Sequence, residues 1–204
     1  RIVGDYDIDG VCSTYILYKA FLRLGAPVDY DIPDRIRDGY GINESIIEKA
    51  AEQGIDTILT CDNGISAYSQ IELAKKKGMT VVITDHHEVP LEEGKEIIPP
   101  ADAVIDPKRE ECSYPFPEIC GAVVAWKLVQ VLFAECGVPA KEWEELLEFA
   151  AIATVGDVMR LQDENRIIVK YGLSRMEHTS SIGLRKLAAK NNLDLSQITA
   201  SVSY

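Results

Sequence analysis

The chain reads as an α/β protein: a doubly wound, mainly parallel five-stranded sheet with helices on both faces, followed by a helical C-terminal segment. Three features lead there. Short β-branched apolar runs alternate with amphipathic stretches of helical period up to residue 107. Those runs are apolar at nearly every position, as strands must be when both faces are covered. Beyond residue 107 the β-type runs stop and helical patterns take over. Right-handed crossovers then put helices on both sides of the sheet.

The first strand is RIVG, residues 1–4. A helix starts at Val11, with Tyr15, Leu17, Tyr18, Phe21, Leu22 and Leu24 on one apolar face, and Gly25 ends it. APVDYDI is the second strand and PDRIRDGYG a turn-rich loop. INESIIEKAAEQG is an amphipathic helix with Asn43 as cap and Gly54 as stop. IDTILTC, SAYSQIELAKKKG and MTVVIT read as strand, helix and strand, and ADAVID as the fifth strand. A Pro-rich stretch, residues 96–117, joins this part to helices expected over 115–137, 139–156, 163–178 and 181–191. Residues 1–107 thus form the α/β core, and 108–204 a mostly helical continuation of the same domain.

At 204 residues the chain is long enough for a real core, and it has no internal repeat. No apolar run approaches the ~18 residues of a membrane span. Five cysteines at irregular spacing, with Cys12, Cys61 and Cys120 in apolar surroundings, indicate free thiols in a reducing cytoplasm rather than a disulfide frame or a zinc site. The chain opens on Arg1 and enters a strand at once, which reads as a piece of a longer protein. A net charge of −12 argues against nucleic acid as partner, since phosphate contacts are largely Lys and Arg work. That objection falls if many of the acids are metal ligands, or if another domain carries the basic surface.

The acids are not scattered. RIVG runs into DYDIDG, IDTILTC into DNG, and MTVVIT into DHH. Ligands bind outside the carboxyl ends of strands in an open parallel sheet, so these exits bring Asp5, Asp7, Asp9, Asp62, Asp85, His86 and His87 to one edge. Asp157, in ATVGDVM, follows a very apolar helical segment. Any one such aspartate is ordinarily the N-cap of the next helix. Together they repel one another and are costly to bury unless a cation compensates. Asp7 and Asp9 are two positions apart, so in an extended loop their side chains share a side. Hard carboxylate oxygens with one or two imidazoles suit Mn²⁺ or Mg²⁺ better than zinc or iron. The ordinary reading of the paired histidines is two surface loop residues; DYDIDG and CDNG beside them favour a metal site.

GDYDIDGVCS, TCDNGIS, TDHH and ATVGDVM resemble, in order, the four motifs of the DHH phosphoesterase superfamily. IPDRIRDGYGIN, ICGAVVAWKL and DENRIIVKYGL resemble its RecJ branch, the single-strand-specific 5′→3′ DNA exonucleases. The resemblance covers nearly the whole chain and implies two divalent cations, manganese for preference with magnesium as the alternative. It implies Asp7 and Asp62 as ligands of the first ion. Asp9, Asp62, His86 and Asp157 would hold the second, with Asp62 bridging. The nucleophile would be a hydroxide between the ions. His87 would contact the scissile phosphate, and Asp85 would orient an imidazole. Such proteins release mononucleotides from a 5′ end of single-stranded DNA, and the full-length protein would meet DNA repair or replication proteins. They usually carry a second, C-terminal substrate-binding domain, which is expected to lie outside this stretch of sequence.

Two positions depart from the pattern. Many relatives have a histidine four residues before Asp7; here it is Val3, and Asp5 is the candidate to stand in. Several have proline where this chain has Arg160. Arg35 and Tyr40, in the Gly-rich loop, are candidates for phosphate contact and base stacking, against a tight turn with a packed tyrosine. Arg109 is a candidate phosphate contact, against a solvated charge. Two other functions stay open: a DHH phosphodiesterase on short oligonucleotides or cyclic dinucleotides (or a pyrophosphatase), and a non-catalytic scaffold in a replication complex. The RecJ-like spacers disfavour the first, and the intact acids and histidines the second.

Overall fold

The computed structural model describes residues 1–203. Its strands are β1 (Ile2–Val3), β2 (Tyr30–Asp31), β3 (Thr57–Cys61), β4 (Thr80–Thr84), β5 (Leu91–Glu92), β6 (Lys95–Glu96) and β7 (Ala103–Ile105). Five of them make one all-parallel sheet in the order β2-β1-β3-β4-β7. The helices are α1 (Ile8–Arg23), α2 (Glu44–Glu52), α3 (Tyr68–Lys76), α4 (Gly121–Glu135), α5 (Ala140–Glu144), α6 (Leu147–Gly156), α7 (Asp163–Arg175), α8 (Ile182–Lys190) and α9 (Ala200–Ser203). No helix among the described residues is long and apolar enough to cross a membrane.

Strand alternation divides the core in two. Ile2, Leu59 and Cys61 face α1, α4 and α6, where they meet Ile16, Leu17, Val123, Phe133 and Ala150. Val3, Ile58, Val81 and Ile83 face α2 and α3, where they meet Ile46, Ile47, Ala50 and Ile71. Each fully buried aliphatic side chain contributes ~1.5–3 kcal/mol, so both helical layers are firmly attached. Val3 is wholly enclosed in the second cluster; its position supplies packing, not a ligand.

The topology decides where a ligand can sit. The chain steps from β1 to β2 on one side, then returns to place β3 on the other, so the order reverses between β1 and β3. A crevice opens at that point, outside the strands' carboxyl ends. Register sharpens this: Cys61 pairs with Thr84 and Thr84 with Ile105. The next residues, Asp62, Asp85 and Asp106, therefore leave three adjacent strands at the same level.

Several elements differ from expectation for local reasons. α1 begins at Ile8, not Val11, because Asp7 caps it: Gly10 N–H donates to Asp7 Oδ1 at 2.9 Å. Asp9 is thus in the first helical turn, and the extended-loop argument for Asp7 and Asp9 sharing a side does not hold. β2 is only two residues long, between Pro27 and Pro33, which cannot donate to a ladder. LEEGKE forms a hairpin that the periodicity did not reveal, with Glu93 (φ 50°) and Gly94 (φ 79°) at its turn. α4 starts only at Gly121, after the prolines at 115 and 117. The helix expected over 139–156 breaks between α5 and α6: the Trp143 carbonyl accepts the Trp126 indole N–H (2.8 Å) and Leu146 N–H (3.1 Å). All five cysteines are free, with Cys12, Cys61 and Cys120 buried and Cys112 and Cys136 exposed.

Candidate metal centre

The centre is assembled from the strand exits and two helix ends. Asp9, buried in the first turn of α1, reaches across to α4. Its Oδ2 accepts from Gly121 N–H at 2.6 Å and its Oδ1 from Ala122 N–H at 2.7 Å. Cys120, at the N-cap of α4, makes no side-chain cap bond, so Asp9 supplies the missing acceptors from 112 residues away. The positive end of α4 meets a fixed carboxylate there.

Asp62 is the most constrained residue. It has φ 61°, left-handed and uncommon outside glycine. A Cβ on Gly121 would lie 2.8 Å from Asp62 Cβ, so the two backbones approach closely only because residue 121 has no side chain. Both Asp62 carboxylate oxygens are buried without a hydrogen-bond partner among the described residues. Burial first, then the charges of Asp9 and Asp7, drives this carboxyl far above the ordinary range.

His86 closes the group. Its Nε2 lies 3.1 Å from Asp62 Oδ1 and 3.4 Å from Asp9 Oδ2. Its Nδ1 is buried and unpartnered, and burial lowers its pKa, which favours the neutral, ligating imidazole. Asp157 ends α6, its N–H donating to Ala153 O at 2.8 Å. It is not the N-cap of α7; that position is Gln162. Asp9, His86 and Asp157 each offer a donor atom within 4.8 Å of the others, and so do Asp62, His86 and His87. Burial, then Asp9 and Asp7, pushes the Asp157 carboxyl up to about 6. Asp7 is exposed at its cap position, its Oδ1 accepting from Gly10 N–H, and joins neither group, although its charge acts on Asp62 and Asp157.

The adjacent histidines differ through Asp85. The buried Asp85 Oδ1 accepts from His86 N–H (2.8 Å) and lies 2.7 Å from His87 Nδ1, while Oδ2 accepts from Ile65 N–H (2.9 Å). Burial alone would raise the Asp85 carboxyl, but these bonds and the His87 charge outweigh it and hold it low. The same bond raises the His87 pKa. Asp85 therefore orients His87, not His86.

The donor set fits a divalent cation. Desolvated carboxylates with unused oxygens, gathered around a neutral imidazole, are the buried charge that a protein leaves uncompensated only when a metal balances it. Asp5 borders the set: its Oδ1 accepts Gly41 N–H at 3.1 Å, and its Oδ2 is buried without a partner. Arg35 stands over the Tyr6 ring at 5.4 Å, and Tyr6 meets Tyr40 edge-on, so both loop candidates border the same opening. Arg109 is turned away; it donates to Val104 O at 3.0 Å and pairs with Glu111.

Sequence reasoning overlooked three contributors. Asp106 is buried and pushed up to about 6 by burial, and a fourth apolar run ending in Asp was its signal. Asn63 donates to Val3 O (3.1 Å) and Cys61 O (2.9 Å) and accepts from Ile42 N–H (3.1 Å), tying β1, β3 and the start of α2 together. Gly121 had no local signal, because its partners are distant in sequence.

A family model described as "DHH family, N-terminal domain" matches residues 1–154. The chain belongs to the DHH family. Its relatives include the single-stranded-DNA-specific exonuclease RecJ of Bacillus subtilis (strain 168), 42% identical over 96% of this chain and 24% of the relative. A crystal structure of exonuclease RecJ bound to manganese superposes with a TM-score of 0.85 at 33% identity, covering 100% of this chain and 49% of that one. RecJ from Thermus thermophilus in complex with Mn²⁺ superposes at 0.80 with 30% identity, covering 28% of that chain. This DHH chain therefore spans about a quarter of the B. subtilis relative. Asp157 lies just past the residues that the family model covers.

Proposed function

We propose that this chain is the metal-binding catalytic part of a hydrolase that cleaves phosphodiester bonds of single-stranded DNA, working 5′→3′ in the manner of the RecJ proteins it resembles. The observation that carries the reading is Asp62: a buried carboxylate in the left-handed region, without a side-chain or backbone hydrogen-bond donor among the described residues, grouped with His86 and His87 beside a second donor group of Asp9, His86 and Asp157. Asp7 and Asp62 would hold one divalent cation, and Asp9, Asp62, His86 and Asp157 a second, with Asp5 beside the first. Bound there, the cations would neutralise phosphate charge and lower the pKa of a water.

The protein's own groups divide the remaining work. The amide N–H groups of Gly121 and Ala122 fix Asp9, so this carboxylate need not reorganise during a turnover. Asp85 fixes the His87 ring, whose N–H then points a positive charge at a phosphate oxygen. Arg35 at the rim would meet the strand's backbone. The manganese complexes of the RecJ relatives support Mn²⁺ as the working ion.

The test is digestion of 5′- and 3′-labelled single strands by the full-length protein with Mn²⁺, comparing wild type with Asp62→Ala. Wild type is expected to release mononucleotides from the 5′ end, and the variant to lose several kcal/mol of transition-state stabilisation. An active Asp62→Ala protein, or degradation from the 3′ end, refutes the proposal.

A further inference from the structure

Tyr40 lies in the loop between β2 and α2, its ring half exposed. Its hydroxyl, however, is used inside the centre. It donates to the Asp62 carbonyl at 2.7 Å, and it lies 3.1 Å from Nε2 and 3.4 Å from Nδ1 of His87. The nearly equal distances put the oxygen beside the pair of nitrogens and on the axis of neither. Since the hydroxyl proton is committed to Asp62 and neither His87 N–H points at the oxygen, the two groups meet as a close packing contact and not as a second hydrogen bond. The loop itself is secured next to Tyr40, where Gly41 N–H donates to Asp5 and Ile42 N–H to Asn63.

His87 needs such a support. Its side chain is 43% exposed, and Asp85 holds it at one nitrogen only. One hydrogen bond leaves an imidazole free to swing about that contact; a fixed neighbour packed against the ring removes the freedom. Tyr40 stands perpendicular to the ring, centroids 5.6 Å apart, on a loop tied to the strand exits. Building on the reading of His87 as the phosphate contact, we infer that Tyr40 is a positioning residue: its hydroxyl, anchored on the Asp62 carbonyl, sets the orientation of the His87 imidazole. This differs from a stacking role, which needs the ring and not the hydroxyl.

Steady-state hydrolysis of single-stranded DNA by the full-length protein with Mn²⁺ separates the two. Tyr40→Phe keeps the ring and removes only the oxygen. Its kcat is expected to fall roughly 10- to 100-fold with KM changed less than about twofold. In a His87→Ala background the same Phe substitution should change kcat less than about twofold, because the group it positions is gone. A Tyr40→Phe protein with wild-type kcat, or a loss that persists fully in the His87→Ala background, overturns the inference. So does the stacking pattern, in which Tyr40→Phe is neutral and Tyr40→Ala raises KM. A wild-type protein without metal-dependent hydrolysis overturns both this inference and the proposed function; an active wild type with an unchanged Tyr40→Phe overturns this one alone.

Discussion

Gly121→Ala probes the centre without touching an ionisable group. The added methyl would sit 2.8 Å from Asp62 Cβ, 2.9 Å from its Oδ1 and 3.0 Å from its Cα. That is about 0.7 Å inside an ordinary ~3.5 Å carbon–carbon contact. Relief must come from Asp62 or from the start of α4. Asp62 is held by its Tyr40 bond and the β4 ladder, where its N–H donates to Thr84 O at 3.0 Å. If α4 moves instead, the N–H groups holding Asp9 move with it. Either way one carboxylate leaves its place. Overpacking of this kind costs ~1–3 kcal/mol, within the ~5–15 kcal/mol by which domains are stable, so the fold survives. A displacement near 1 Å costs turnover on the order of 10²-fold, so we expect a roughly 10- to 100-fold loss, ~1.4–2.7 kcal/mol of barrier. The assay is Mn²⁺-dependent hydrolysis by the full-length protein, with Mn²⁺ affinity from calorimetry and Tm as a check on folding. Gly183→Ala is the control, since its new methyl would meet only Ser181 Oγ at 3.7 Å. Wild-type turnover and wild-type Mn²⁺ affinity in Gly121→Ala would refute the reasoning.

Asp62→Asn should separate stability from metal binding. Asparagine tolerates the left-handed backbone and removes the cost of burying a carboxyl beside Asp9 and Asp7, so the metal-free Tm should rise while the Mn²⁺-induced rise in Tm disappears; a preserved Mn²⁺ shift would contradict the ligand assignment. Glu148 gives a pH signature away from the centre. It is buried, accepts the Thr179 hydroxyl at 2.6 Å, and is raised by burial. Its ionised form therefore costs stability at neutral pH, and the cost vanishes as pH falls through the folded pKa toward the unfolded value near ~4.3. Glu148→Gln should raise Tm at pH 8 and leave it unchanged at pH 4; a gain that is independent of pH would reject burial of charge as the cause. This chain alone, at net charge −12, should bind single-stranded DNA weakly, and tight binding with a steep salt slope in a titration would show otherwise.

Much of the architecture was legible because its signals are local. Near-continuous apolar runs marked the strands, and Asn43 and Gly25 marked helix ends. The elements misread were those whose cause is not periodic. A two-residue hairpin strand has no period to detect, and the α5–α6 break depends on an indole from α4. Of the site, the strand exits named Asp9, Asp62, His86 and His87, which fall in the two donor groups, and Asp7, which falls in neither; the start of α1 was misplaced because Asp7 is also its cap.

From residue order alone came the alternation of strand and helix, the parallel sheet, and hence the edge at which Asp62, Asp85, His86 and His87 emerge; these follow from hydrophobic period and chain handedness, which are local. Tertiary structure alone decided what each group meets. Nothing near Asp9 in the chain announces Gly121 and Ala122, and nothing in two adjacent histidines says that Asp85 takes the second and leaves the first to Asp62. Partners of this kind are chosen by packing between segments far apart in the chain, where the cost of an unpaired buried charge, and not any sequence period, selects the arrangement.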